Sequence, residues 1–181
     1  MTTDVRWLPR FWNRWRRRRQ SKADLELLAL GQFTSAAKRT LKLAEQESVR
    51  SHHSYLGSEH VVLALLHQRA TFAGETLSQL AVSESEVRAV IETVLGHKQR
   101  IELLEIIPTA RVKKIIELAL REARGRRSIT IRTDDLLLGV LIEGEGLGAH
   151  VLQDRGANLN RVRETLRLVA QDGRVIEPID Q

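Results

Sequence analysis

Phe33-Thr34-Ser35-Ala36-Ala37-Lys38-Arg39-Thr40-Leu41-Lys42-Leu43-Ala44-Glu45-Gln46-Glu47 returns 75 residues later as Pro108-Thr109-Ala110-Arg111-Val112-Lys113-Lys114-Ile115-Ile116-Glu117-Leu118-Ala119-Leu120-Arg121-Glu122. The same shift, without a gap, pairs Leu63 with Leu138, Leu66 with Leu141, Leu77 with Leu152 and Val87-Arg88 with Val162-Arg163. A repeat this long exceeds one helix pair, so it denotes a duplicated multi-helix unit rather than a solenoid turn. Two such units imply a two-lobed body with pseudo-twofold surfaces.

Helix signals divide each copy into four. In the first, Thr34 is placed to cap a helix over 34–49, with Ala37, Leu41, Ala44 and Ser48 on one stripe. Residues 52–57 read as a loop. Ser58 reads as the next cap, for a helix to about residue 68, and a third helix covers 71–80. Ser83 caps a fourth to about residue 95, with Glu86 at the capping-box position. The second copy repeats the scheme over 109–124, 134–143 capped by Thr133, 147–155, and 159–170 capped by Asn158. Strand signals are weak; only 128–131 looks extended. The expected fold is all-α, two pseudo-symmetric four-helix repeats over 33–95 and 108–170. A linker lies at 96–107, in which 101–104 could be a short helix, and the chain frays from residue 172 on, with 174–181 as a tail.

Of 181 residues, 42% are hydrophobic, enough for one core. Cysteine is absent, which removes disulfides, thiolate metal sites and cysteine nucleophiles and fits a reducing compartment, with the cytosol as default. The apolar runs 61–66 and 136–142 are too short to cross a bilayer, and no signal-peptide core follows the N-terminus. The net charge of +6 is unevenly spread: residues 1–22 carry +7, leaving the rest at −1. This extension, residues 1–30, holds all three tryptophans. A helix begun near Pro9 would put Phe11, Trp12 and Trp15 on one face, with Trp7 preceding them and arginines including Arg14, Arg17 and Arg18 largely opposite. Together with Arg16 and Arg19, these residues could lie on an anionic membrane, enter a groove or bind nucleic acid. A solubilising extension accounts for them equally well.

Motifs for catalysis are missing. There is no phosphate-binding Gly-x-x-x-x-Gly-Lys-Ser/Thr loop and no Gly-x-Ser-x-Gly elbow, and 144–148 reads as a helix–helix turn. His60 and His67 stand two helical turns apart, about 10 Å, too far to share a tetrahedral ion, so the histidines read as surface residues and no metal or cofactor is expected. Ser58-Glu59-His60 and Thr133-Asp134-Asp135 both open helices with a hydroxyl followed by a carboxylate. Ordinary capping with a favourable first-turn charge explains this, and so would two related acidic pockets for a cationic group.

Several stretches carry a family likeness: Phe33-Thr34 with Ala37-Lys38 and 43–47; Gly57-Ser58-Glu59-His60 through Leu66; Ala110-Arg111 with 113–118; Thr133-Asp134-Asp135 through Gly139; and Glu143-Gly144-Glu145-Gly146 with Ala149, Val151-Leu152 and Gly156. In order and spacing the chain resembles the N-terminal domain of Clp/Hsp100 unfoldases, most of all the ClpC type, across 33–173. The resemblance implies an all-α domain, without enzymatic activity, that receives adaptors and substrates and passes them to an AAA+ ring. It also implies that Glu59 helps bind phosphorylated arginine. Asp134 takes the matching place in the second copy, one methylene shorter, and Asp135 replaces the family's histidine, so two unequal pockets are expected. Thr34 and Thr109 match the helix-opening threonines beside those pockets. The ATPase modules have no counterpart, so the chain resembles the detached docking domain. The expected role is an adaptor that delivers protein clients to a Clp ATPase or peptidase or competes with the ATPase for them. The alternative is tethering to a membrane surface or nucleic acid through residues 1–22.

Overall fold

A computed structural model describes residues 32–96, 106–175 and 177. The expectations for the aromatic and arginine-rich extension, Trp7 to Arg19, and for a helix at 101–104 fall outside the described residues. Within them lie eight α-helices and four two-residue strands. The first copy contributes β1 (Gln32–Phe33), α1 (Ser35–Arg50), β2 (Tyr55–Leu56), α2 (Ser58–His67), α3 (Phe72–Gln79) and α4 (Glu84–Leu95). The second contributes β3 (Ile107–Pro108), α5 (Ala110–Gly125), β4 (Thr130–Ile131), α6 (Thr133–Glu143), α7 (Leu147–Asp154) and α8 (Leu159–Asp172). The all-α, two-repeat expectation holds. No described helix is long and apolar enough to cross a membrane.

Local chemistry sets several helix starts. Thr34 lies in extended backbone and its Oγ1 accepts the Ala37 N–H at 3.2 Å, while Thr109 does the same for Val112 at 3.3 Å. Thr71 and Asn158 cap α3 and α8 likewise, accepting from Gly74 and Arg161. Ser83 stands at its cap position without a side-chain cap bond, its hydroxyl paired with Ser85 instead.

Ser58 and Thr133 depart from expectation. The caps of α2 and α6 are Gly57 and Arg132, and the two hydroxyl residues occupy the first helical position. Their hydroxyls instead serve the opposite copy: Ser58 Oγ accepts the Gly148 N–H at 3.1 Å and Thr133 Oγ1 accepts the Ala73 N–H at 3.2 Å. Each therefore satisfies a donor in the first turn of the other copy's third helix, where backbone N–H groups lack intrahelical partners.

The strands cross copies too. β1 pairs in parallel with β4, and β2 with β3, so each copy's leading strand adds to the loop strand of the other. Thr34 N–H then donates to Ile131 O, and Thr109 N–H to Leu56 O, both at 3.0 Å. The sequence shows only 128–131 as extended because two-residue strands are specified by their partner rather than by alternation.

One apolar cluster joins the copies, including Leu41, Leu63, Leu77, Ile115, Leu137 and Leu152. Where α6 crosses α5, Gly139 has no room for a side chain: a Cβ there would lie 2.5 Å from the Ile115 carbonyl oxygen. The described residues 172–175 and 177 also depart from the expected fraying. α8 runs to Asp172, Gly173 ends it in left-handed backbone, and Glu177 is buried against the body.

Candidate functional site

The cross-copy pairing creates two related junctions. At each, the cap of one copy's first helix meets the start of the other copy's second helix. The strand pairs put Thr109 beside the 56–59 segment and Thr34 beside the 131–134 segment. Thus Glu59 and Thr109 share one junction and Asp134 and Thr34 the other, a pairing between copies that the repeat does not reveal.

At the Glu59 junction, the third residue of α2 turns back on its own cap. His60 Nδ1 accepts the Gly57 N–H at 3.0 Å. His60 Nε2 therefore carries the ring proton and meets His53 Nδ1 at 2.9 Å. His53 stacks on Tyr55, with ring centroids 5.1 Å apart and planes 6° apart. Ser48 Oγ fixes this loop, its one proton shared between the carbonyls of Tyr55 at 2.7 Å and His53 at 3.0 Å. His53 and His60 are 1% and 0% exposed, which corrects their reading as surface residues: both ring nitrogens of His60 are paired, with the Gly57 N–H and with His53 Nδ1, so its burial is tolerated. His67 does lie on the surface, within 3.6 Å of Glu84.

Burial, and secondarily the nearby His53, pushes the His60 pKa down to about 3. The folded value lies below the unfolded one, so His60 contributes stability that is present above pH ~6.5 and is lost as pH falls toward 3, by up to ~1.4 kcal/mol per pH unit. Imidazole NMR should show His60 neutral through pH 5. A titration midpoint near 6.5 would contradict the buried hydrogen-bond arrangement.

Ligating atoms of His53, Glu59 and His60 lie within 4.8 Å of one another. The set does not fit a metal ion, because His60 Nδ1 already accepts a backbone proton and Nε2 could ligate only as imidazolate. The same geometry fits a neutral hydrogen-bonded pair.

Glu59 is 5% exposed. Its carboxylate folds back over Gly57, where a Cβ would lie 2.2 Å from Oε1, so only glycine leaves it this place. Tyr55 donates to it, its own backbone contributes, and Ser58 Oγ lies 3.5 Å from Oε2. Burial raises its pKa despite these donors.

The repeat puts Arg132 where the first copy has Gly57. Arg132 Nε donates to Asp134 Oδ1 at 2.9 Å and Nη2 to Oδ2, a bidentate pair, while its guanidinium lies 4.2 Å from the Phe72 ring centroid. Asp135 replaces His60 in function as in position: its Oδ2 accepts the Arg132 N–H at 2.9 Å, and Arg126 grips both oxygens. Burial, followed by the neighbouring charge of Asp134, raises the Asp135 pKa. One carboxylate is thus held by uncharged donors and the other by an internal guanidinium.

The profile of the Clp repeat (R) N-terminal domain matches residues 32–173, most of the chain. The chain belongs to the Clp repeat N-terminal domain family. The protein named "Negative regulator of genetic competence ClpC/MecB" of Bacillus subtilis is 35% identical over 138 residues, 76% of this chain and 17% of that protein. This Clp N-domain chain therefore spans about 17% of the length of that relative. The ClpV N-domain of Vibrio cholerae superposes with a TM-score of 0.67 at 15% identity, covering 85% of this chain and 92% of that one. A complex of the ClpV N-domain with VipB peptide gives 0.66, also at 15% identity, over 85% and 94%. These structural likenesses establish the Clp N-domain fold.

Two residues of this Clp N-domain escaped sequence reasoning. Arg132 is one of many arginines, and its partner two positions away suggests nothing unless a helix is known to begin between them. Glu177 lies 143 residues from Thr34, yet accepts the Thr34 hydroxyl at 3.1 Å, the Phe72 N–H at 3.0 Å and the Thr133 N–H at 3.1 Å. No periodicity marks it.

Proposed function

We propose that the chain is a non-enzymatic docking module of the Clp chaperone–protease system, which captures protein clients or adaptors and delivers them to, or competes with, a Clp ATPase. Glu59 carries this reading: a buried carboxylate held by neutral donors, at a junction between copies, in a fold whose ClpV relative is known in complex with a peptide. A guanidinium entering this junction would meet a carboxylate that no cation among the described residues is recorded as pairing. The helix start at Thr109 favours an anion beside it, so a phosphorylated arginine suits both partners. The basic extension lies outside the described residues and carries no part of this reading.

Crosslinked co-purification with a Clp ATPase or peptidase tests the role, and recovery of neither would argue against it. For the site, phosphoarginine at a hundredfold excess over its Kd should stabilise the wild type by about 2.7 kcal/mol, several degrees in Tm for a chain of this size. Glu59→Gln, which keeps the side chain's size but removes the charge, should lose most of that shift. Equal shifts in the two proteins would remove Glu59 from the site.

A further inference from the structure

Glu177 is an acidic side chain in a place built for an anion. Its two oxygens collect four donors: the hydroxyl of Thr34 and the N–H of Thr133 on Oε2, and the Phe72 N–H and the Thr133 hydroxyl on Oε1. These donors come from the starts of α1, α3 and α6, three helices whose positive ends converge on one carboxylate. Both threonine hydroxyl protons are used in this way, and each oxygen also accepts a backbone N–H, from Ala37 and from Ala73. Glu177 is 8% exposed, so few of these bonds are shared with water.

The segment leading to it is held less closely. Gly173 ends α8, Arg174 pairs with the exposed Asp172, and Val175 packs partly against the core. Beside this stretch lies an open cavity of about 150 Å³, bordered by Ala70, Gln79, Val169 and Val175. Among the described residues after α8, Glu177 therefore anchors this strap. Close by, Arg132 occupies Asp134 and stacks on Phe72, whose N–H binds Glu177. A guanidinium and an oxyanion supplied by the chain itself thus fill the Asp134 junction.

We propose that the strap ending in Glu177 is an autoinhibitory pseudo-ligand: its carboxylate occupies an oxyanion site formed by Thr34, Phe72 and Thr133, and an oxyanionic group on a partner must displace it. The inference rests on the reading of these junctions as docking sites. By the repeat, Thr34, Phe72 and Thr133 correspond to Thr109, Leu147 and Ser58, while Glu177 follows the second copy and serves the Asp134 junction. The two junctions consequently differ in regulation: one is self-occupied, and the Glu59 junction has no such occupant among the described residues.

The test is anion rescue of Glu177→Ala in the full chain. The variant should melt below wild type, and inorganic phosphate should raise its Tm by several degrees more than that of wild type, with matched sodium chloride as the ionic-strength control. Acetate in place of phosphate distinguishes a carboxylate from a tetrahedral oxyanion, and rescue by either supports the site. In ¹⁵N spectra of the variant, the Phe72 and Thr133 amides should shift on phosphate addition, and in wild type they should not move at the same concentration. Equal phosphate responses in the two proteins, or a response confined to Ser58 and Leu147, would overturn the proposal. If Glu177→Ala does not fold, Glu177→Ser, which also vacates the site, is read in the same way. In wild type, high phosphate should also raise amide exchange at Arg174, Val175 and Glu177, and unchanged exchange there at saturating phosphate would count against displacement. A failed phosphoarginine shift at Glu59 leaves this result intact, and failed anion rescue leaves docking at Glu59 intact.

Discussion

Arg132→Met is expected to destabilise the fold by about 3–5 kcal/mol at pH 7, the usual loss when one member of a buried ion pair is removed. Methionine retains an apolar stem to cover Phe72, so the change is chiefly electrostatic. The side chains of Asp134 and Asp135 are 7% and 1% exposed. Without Arg132, Asp134 loses its bidentate partner and stands beside Asp135, whose pKa burial and Asp134 already raise. The sign of the pH dependence follows. The folded pKa of Asp135 is already raised to about 6, above its unfolded value of ~3.9, so the cost of two carboxylates left side by side shrinks as pH falls through that value. Urea denaturation at pH 7 and pH 5 should show a smaller deficit at pH 5, and adding Asp134→Leu should recover much of the loss. A deficit that stays constant across pH and persists in the double variant would mean that Arg132 acts through packing alone.

Leu77→Ala and Leu152→Ala, equivalent positions in the two copies, should each cost about 2–5 kcal/mol. Both leucines are 0% exposed and belong to the same apolar cluster, so the copies share one interior. Each substitution should therefore shift a single cooperative transition, by roughly 2–4 °C per kcal/mol for a chain of this size. Monitoring by circular dichroism and by tyrosine fluorescence from Tyr55 gives two probes of that transition. Separate transitions, with one copy unaffected by the other's cavity, would contradict a shared core.

Much of the fold was legible because its determinants are local. Thr34, Thr71, Thr109 and Asn158 cap helices whose N–H groups lie three residues on, a spacing readable along the chain. Ser58 and Thr133 look identical to those caps in sequence, yet their hydroxyls bond Gly148 and Ala73. Spacing could not show this, because the groups they satisfy belong to the other copy. His53 and His60 were misread for a related reason: exposure is the default for a polar ring, and only the loop geometry supplies the backbone and side-chain partners that make burial tolerable.

The departure of Asp134-Asp135 from Glu59-His60 was visible as an inequality, but its physical origin was not. It lies one step earlier, in Gly57 against Arg132: the glycine leaves room for a carboxylate to fold back, and the arginine neutralises one.

By itself the sequence determined the duplication, the all-α class, the family and most helix starts, since these depend on periodicity and on contacts within a turn. Only the tertiary structure decided that each junction is assembled from both copies, that His60 is neutral and buried, and that Glu177 sits where three helix starts converge. Those facts depend on which backbone donors and which charges meet across tens of residues, and chain closure in three dimensions is what brings them together.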